Sequence, residues 1–420
     1  MACVWELGLR GNNMKLQDQL REVKTASKEL ALLTEEKRNQ ILKNIACLLI
    51  ERKEEILTAN QKDIANAEEL SKAMIERLTL TYEKIEAMAK QVEIVVKQKD
   101  PLRRELESIQ RPNGLLIKKM SIPLGVMAII YESRPNVTID VACLCVKSGN
   151  ACVLKGGKEA RHTNQVLVAL IHEGMRGIID ERAVMLIDSS SLVLELIQSN
   201  GLVDVAVPRG GKGLIDFVVK NATVPVIETG AGICHQYVDK QADLDQAIKV
   251  AVNAKASRPS VCNAIETLLV HKEVANPFLI SLKQAMKEAQ VVLKGDERIA
   301  QFIDVEPIGT DDYATEYNDY ILNLKIVDSI GEAVAHIQRY STGHSETIMT
   351  QDESRAQYFI DHIDSACVYV NASTRFSDGG EFGFGLELGI STQKLHARGP
   401  LGLQQMTTYR YVIFGDGQIR

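Results

Sequence analysis

Between residues 14 and 99 apolar positions recur at helical spacing in a highly charged background. Ile41, Leu42, Ile45, Leu48 and Leu49 share one face, with Thr34 placed to cap and Glu35 and Glu36 in the first turn. The heptad is not sustained, because Asn60, Asp63 and Asn66 interrupt it. This pattern predicts several separate helices packed on a later core rather than a coiled coil. After Pro101 the texture changes to short apolar runs ended by Gly, Pro or charge, at 115–117, 126–131, 151–154, 184–187, 203–207 and 224–227. Helical patterns over 138–146, 164–176 and 213–221 fill gaps between them. Such alternation predicts a mostly parallel sheet with helices on both faces and a nucleotide site outside the strand ends. A second set follows residue 232, with helices at 244–254 and 277–289 and strands at 265–270, 321–327, 347–349 and 366–370. It reads as a second α/β domain; no repeat or low-complexity tract is present.

Composition narrows the classes. The 420 residues, 45% of them hydrophobic, suffice for two or three cores. Lys plus Arg number 49 against 55 Asp plus Glu, and aromatics make up only 5%, which argues against a nucleic-acid binder or a base-stacking platform. The apolar runs are far shorter than the roughly 20 residues of a membrane span, and residues 1–13 carry no basic region followed by an apolar one. Cysteines at 3, 47, 143, 145, 152, 234, 262 and 367 have no repeated spacing and no CxxC pair, and Cys47 and Cys152 fall in apolar runs. A soluble protein of the reducing cytoplasm is expected.

The densest polar cluster, Tyr131-Glu132-Ser133-Arg134-Pro135-Asn136-Val137-Thr138, stands where an apolar strand ends. A binding loop and a well-capped turn into a helix both fit it. Downstream, Lys155-Gly156-Gly157-Lys158 and Arg209-Gly210-Gly211-Lys212 are basic Gly-Gly turns at strand-to-helix joints. Glycine lets backbone N–H groups approach a phosphate and the cations add attraction, so a phosphate-rich ligand is expected, although neither turn matches GxGxxG or the P-loop. Cys262 lies in the polar loop Ser257-Arg258-Pro259-Ser260-Val261-Cys262-Asn263, where Arg258 could favour the thiolate. From these residues alone, a nucleophile and a semi-buried structural thiol are equal readings. His235 and His344 lie beside small polar residues and fit either general bases or core histidines. Glu228 ends a strand-like run beside a Gly turn. No histidine spacing suggests zinc, and no metal is expected.

Taken together these segments resemble the aldehyde dehydrogenase superfamily, and within it the glutamyl phosphate reductase (glutamate-5-semialdehyde dehydrogenase) family. To the motifs above the resemblance adds Lys147-Ser148-Gly149-Asn150, Glu228-Thr229-Gly230, Ser341-Thr342-Gly343-His344-Ser345-Glu346 and Phe382-Gly383-Phe384-Gly385, in the family's order over nearly the whole chain. It implies an aldehyde-dehydrogenase-like α/β fold: a Rossmann-type cofactor domain (14–110 and 125–231), an α/β catalytic domain (232–378) and a small oligomerisation β flap (111–124 and 403–420). It also implies NADPH-dependent reduction of L-glutamyl 5-phosphate to glutamate 5-semialdehyde and phosphate through a thioester on Cys262, on the route from glutamate to proline.

By the same resemblance Asn136 and the Cys262 N–H are the oxyanion donors. Lys155 contacts the adenosine ribose, with Gly156, Gly157, Arg209, Gly210 and Gly211 in the cofactor-binding set. Lys158 stands where NAD-preferring relatives have Glu and so favours NADPH, and Glu316 holds the nicotinamide ribose. Glu228 aligns with the base of hydrolytic relatives; without a hydrolysis step it would position groups or handle a proton. Glu132, Arg134, Arg258, Ser260 and Arg375 are candidates for gripping the substrate. A homodimer or tetramer is expected, and a contact with the glutamate 5-kinase that makes the labile acyl phosphate is left open. The rival readings are a hydrolytic aldehyde dehydrogenase using Glu228 and a non-catalytic relative, the latter disfavoured by the intact Cys262 loop.

Overall fold

The structure, a computed structural model, describes residues 14–67, 70 and 72–420. The expectations for Cys3 and for residues 1–13 lie outside the described residues. The chain divides into two compact units: one built from the described residues up to Ile227 with Phe384–Leu388 and Gly402–Arg420, the other from Glu228–Gly383 with Gly389–Leu401.

In the first unit the strands Val184–Leu186, Ala151–Lys155, Val126–Tyr131 and Val205–Arg209 lie side by side in that order, all parallel. The two middle strands are buried along their whole length, as expected of a parallel sheet covered on both faces. The order places a topological switch between Val126–Tyr131 and Val205–Arg209, where connections leave in opposite directions. The apolar stretch 224–227 does not form a full strand: Pro225 lacks an N–H, and only the single pairing of Val226 with Ala206 continues the ladder.

The amino-terminal region forms helices Leu16–Leu32, Glu35–Glu51, Lys53–Ala65, Lys72–Leu78 and Tyr82–Lys97. The Thr34 side chain accepts the Lys37 N–H, capping the second of them. Asn60 and Asp63 are buried inside the third, where they serve neighbouring backbone. Asn60 pins Leu78 O and Leu80 N, and Asp63 accepts from His162 N and Thr163 N at 3.0 and 2.8 Å, capping helix Arg161–Met175 from outside. Cys47 is exposed on its helix, contrary to its apolar neighbourhood in the sequence, whereas Cys143, Cys145 and Cys152 are buried.

Leu116–Pro123 pairs antiparallel with Thr407–Phe414 over their full lengths and with Glu105–Gln110 on its other side, forming a three-stranded flap. Glu105–Gln110 escapes the sequence pattern because every residue in it is exposed and no apolar alternation marks it.

The second unit carries a seven-stranded parallel sheet in the order Glu306–Pro307, Val292–Gly295, Ile321–Val327, Ile265–His271, Cys234–Val238, Ser345–Met349, Cys367–Val370. Its core has two faces: Leu268 and Val270 pack with helices Leu244–Ala256 and Ala275–Glu288, while Leu269 packs with Ala333, Val334 and Phe359 on the other. Cys234–Val238 goes unread in the sequence because His235 and Gln236 interrupt it. Both are fully buried, His235 bonded to Glu346 at 3.1 Å and Gln236 to Ala247 O at 2.9 Å.

Asn150 joins three segments of the first unit. Its Oδ1 accepts the Gly125 N–H at 2.8 Å, and its Nδ2 donates to Ser148 Oγ and to Met406 O at 2.8 and 2.9 Å, all buried or nearly so. Asn150→Ala strands two backbone groups and is expected to cost about 2–4 kcal/mol, read as a lowered Tm in thermal unfolding; an unchanged Tm would show that water replaces the amide at no cost.

Candidate active site

The residues singled out in the sequence fall into two groups, one in each unit. In the first unit they gather at the carboxyl ends of the parallel strands, on either side of the switch. Tyr131 stands in register with Arg209, and Ile130 with Lys155. Beyond the strand ends, Glu132 N donates to Arg209 O at 3.1 Å, and the Glu132 carboxylate accepts the Gly211 N–H at 2.8 Å. A Cβ at Gly210 would come within 2.4 Å of that carboxylate, so glycine there lets the acid close over the turn. Arg209 reaches the Leu388 carbonyl.

At the other Gly-Gly turn the acid lies on the segment of the turn itself. Glu159, to which the sequence pattern gives no role, accepts both Ser133 N and Ser133 Oγ, at 2.7 and 2.6 Å. Those bonds hold Ser133 at φ 39°, a left-handed backbone that an L-residue adopts only at some cost. Gly156 is hemmed in by Asn164 and the Tyr131 ring, and Tyr131 OH meets Thr138 Oγ1 at 2.6 Å. Lys155 is buried, its Nζ donating to Gly156 O at 2.5 Å, whereas Lys158 is exposed on a short turn. Burial pulls the Lys155 ammonium pKa down, with Glu159 and Asp188 opposing. Arg134 is exposed and occupies the position just before helix Pro135–Lys147, without a side-chain capping bond. Asn136 lies in the first turn of that helix, its Nδ2 donating to Asp140 Oδ2 at 2.9 Å. Burial pushes the Asp140 carboxyl up to about 6, against the Asn136 hydrogen bond and the Arg209 charge.

In the second unit the residues collect at the amino ends of the strands. Cys262 is half-buried in the turn between helix Leu244–Ala256 and strand Ile265–His271. Gly232, just ahead of strand Cys234–Val238, lies so close that a Cβ there would stand 1.5 Å from the Cys262 carbonyl oxygen. Glu316 Oε1 accepts the Gly232 N–H at 2.9 Å, and Cys234 Sγ donates to Cys262 O at 3.2 Å. Burial drives the Cys234 thiol pKa well up, which keeps it a neutral donor. The loop's other flank is held by Asn263, whose Nδ2 donates to Ser377 O at 2.9 Å and whose carbonyl accepts Thr374 Oγ1 at 2.6 Å. The Arg375 guanidinium bonds Asn263 Oδ1 and, at 3.2 Å, Ser257 Oγ. Its pKa is lowered first by burial and then by neighbouring Arg258, while Asp378 and Cys262 oppose the fall.

Arg258 and Ser260 are exposed on the Cys262 loop, and half-buried Glu228 donates its N–H to Gln393 Oε1 at 2.7 Å. His235 and His344 are both fully buried. Burial presses His344 down to about 4, which makes it a neutral core group bonded to Ser345 Oγ at 2.8 Å. Gly232, Cys234 and the clamping role of Asn263 were not legible: glycine and cysteine read as ordinary residues until two backbones are seen to meet. Among the described residues no group of three or more His, Cys, Asp or Glu could hold a metal ion, and no helix is long and apolar enough to cross a membrane.

Comparison with known proteins joins these observations to a family. The aldehyde dehydrogenase family profile matches residues 9–325. A gamma-glutamyl phosphate reductase of Carboxydothermus hydrogenoformans is 52% identical over 406 residues, covering 95% of this chain and 98% of that protein. The protein of the same name from Clostridium beijerinckii is 47% identical over 421 residues, covering 99% and 100%. Among solved structures, gamma-glutamyl phosphate reductase of Thermotoga maritima matches with a TM-score of 0.95 at 44% identity, covering 97% of this chain and 100% of that one. An NADP-complexed glyceraldehyde-3-phosphate dehydrogenase of Methanocaldococcus jannaschii, 17% identical with a TM-score of 0.65 and 95% of each chain covered, shares the fold. With the family's motifs in order along the sequence and that degree of identity over nearly its whole length, the chain belongs to the aldehyde dehydrogenase family and, within it, to the gamma-glutamyl phosphate reductases.

Proposed function

We propose that this protein reduces L-glutamyl 5-phosphate to L-glutamate 5-semialdehyde with NADPH, releasing phosphate, in the synthesis of proline from glutamate. The observation that carries the reading is Cys262, half-buried in a loop whose backbone is fixed on one side by Gly232 and on the other by Asn263. A nucleophile held this way loses little freedom on reaching the acyl carbon.

The Cys262 thiolate attacks that carbon, the C–O bond to phosphate breaks, and phosphate leaves with the electron pair, forming a thioester on Sγ. The Cys262 N–H and the Asn136 amide are the donors for the oxyanion of the tetrahedral steps. NADPH, when bound, supplies the hydride that takes the acyl group to the aldehyde level. Collapse of the resulting thiohemiacetal returns Cys262. Water is not a reactant, so Glu228 has no hydrolytic duty and serves to position groups or to carry a proton.

The first unit fits the dinucleotide. Its glycine turns stand beside the switch of a parallel sheet, a Cβ at Gly213 would meet nothing within 4 Å, and exposed Lys158 adds a cation at the strand end. Lys155, Gly156, Gly157, Lys158, Arg209, Gly210 and Gly211 would hold the cofactor, and Glu316 the nicotinamide ribose. Glu132, Arg134, Arg258, Ser260 and Arg375 are the polar groups from which substrate contacts are drawn. A second copy of the chain is the expected partner, since the edge strand Thr407–Phe414 leaves Tyr409, Tyr411 and Ile413 exposed in alternation. The free cysteines suit the reducing cytoplasm.

In the reverse direction, NADP reduction by glutamate 5-semialdehyde is expected to require phosphate or arsenate; a phosphate-independent rate yielding glutamate would replace this reading with the hydrolytic one. Cys262→Ser is expected to lower kcat by about a thousandfold or more, measured against unchanged thermal stability. Lys158→Glu is expected to lower the NADPH-to-NADH ratio of kcat/KM by about tenfold or more; an unchanged ratio places recognition of the 2'-phosphate on other residues.

A further inference from the structure

We propose that Arg375 forms the subsite for the departing phosphate, and that Asn263 and Ser257 are the positioning residues that hold its guanidinium at the nucleophile. The proposal rests on the acyl-phosphate reading above and deepens it.

Arg375 spans the nucleophile loop. Nε donates to Ser257 Oγ at 3.2 Å, where the loop begins, and Nη1 donates to Asn263 Oδ1, the residue next to Cys262. Asn263 is itself almost fully buried and fixed, its Nδ2 donating to Arg375 O and Ser377 O at 3.3 and 2.9 Å. Side chain and backbone of Arg375 are thus both tied to one amide, which sets the plane of the guanidinium and not merely its charge. Thr374 Oγ1 on Asn263 O, at 2.6 Å, closes the same joint.

The surroundings are those of an anion site. Arg258 acts on Arg375 as a like charge, and Cys262 is among the groups that favour its charged form. Asp378 and Glu381 also favour it, so the guanidinium stays charged despite its partial burial. Two arginines whose charges act on one another favour an anion between them, and with Nε and one Nη1 hydrogen committed to the protein, Nη2 and the second Nη1 hydrogen form the edge left for a phosphoryl group to accept. In the forward reaction the leaving phosphate gains negative charge as its C–O bond to the acyl carbon breaks. A guanidinium at that point stabilises the departing group more than the bound substrate, which is what accelerates the step.

The test is the reverse reaction, with KM measured separately for inorganic phosphate and for glutamate 5-semialdehyde. Arg375→Lys, which keeps a charge and loses the fork, is expected to raise the phosphate KM about tenfold while the semialdehyde KM stays within about twofold. Asn263→Ala is expected to do the same, and the double variant to add little to either alone, since both remove one oriented group. Ser257→Ala, an exposed change that leaves the fold intact, is expected to raise the phosphate KM about threefold and keeps the proposal testable if Asn263→Ala fails to fold. If the semialdehyde KM rises instead, Arg375 grips the substrate carboxylate and the proposal is overturned. An unchanged phosphate KM in all variants also overturns it. Loss of phosphate dependence in the unaltered enzyme is a different result, since it removes the acyl-phosphate reading itself.

Discussion

The placement of Cys262, the proposed nucleophile, depends on one contact between two backbones. The carbonyl of Cys262 occupies the place where any side chain at position 232 would have to stand, 1.5 Å from an ideal Cβ. Only glycine allows that approach. Once it is made, the peptide that carries the nucleophile cannot retreat toward the sheet. Glu316 fixes the Gly232 N–H and Cys234 hydrogen-bonds the Cys262 carbonyl, so the contact is held from both partners. The placement of the sulfur is therefore a property of the sheet's amino edge and not of a flexible loop. Reaction at a thiol needs this, because the energy of orienting it is spent during folding and not during catalysis.

The first unit braces the loops around its glycine-rich turns from within. Internal carboxylates do this: Glu132 takes the Gly211 N–H, and Glu159 takes the N–H and hydroxyl of Ser133. Each acid fixes backbone donors, and Glu159 also acts on Lys155 as an opposite charge. A net charge of -6 over the whole chain is no obstacle to binding an anion where a cation such as Lys158 reaches solvent.

How much of this was written in the sequence follows from the physics of each part. The strands Val126–Tyr131 and Ala151–Lys155 were legible because a strand buried on both faces must be apolar throughout. Cys234–Val238 was not, because His235 is kept in the interior by Glu346, a partner 111 positions away in sequence that no local pattern reveals. The same holds for Cys47, whose apolar neighbours face a core that it does not. For the site, Cys262 and Arg375 were legible as chemistry-bearing types in polar loops. That Asn263 and Ser257 bind Arg375, and that Gly232 sets the depth of Cys262, depends on segments brought together only by the sheet order.

The two sheets also differ in which edge they use, and the difference bears on the thiol. In the first, the candidate groups stand at the carboxyl ends of strands, followed by helix amino termini that favour anions. In the second, Cys262 follows the carboxyl end of helix Leu244–Ala256, whose dipole favours cations and offers a thiolate nothing. A reactive cysteine at a helix amino terminus borrows stabilisation from the backbone; this one has to obtain it from side chains. The cations available are Arg258 on its own loop and Arg375, which Asn263 and Ser257 tie to that loop and whose charge Cys262 favours. On the proposed reading, the guanidinium that faces the thiolate would pass to the phosphate as the sulfur gives up its charge to the acyl group. In that proposal one positive charge serves the anion on either side of the bond-making step.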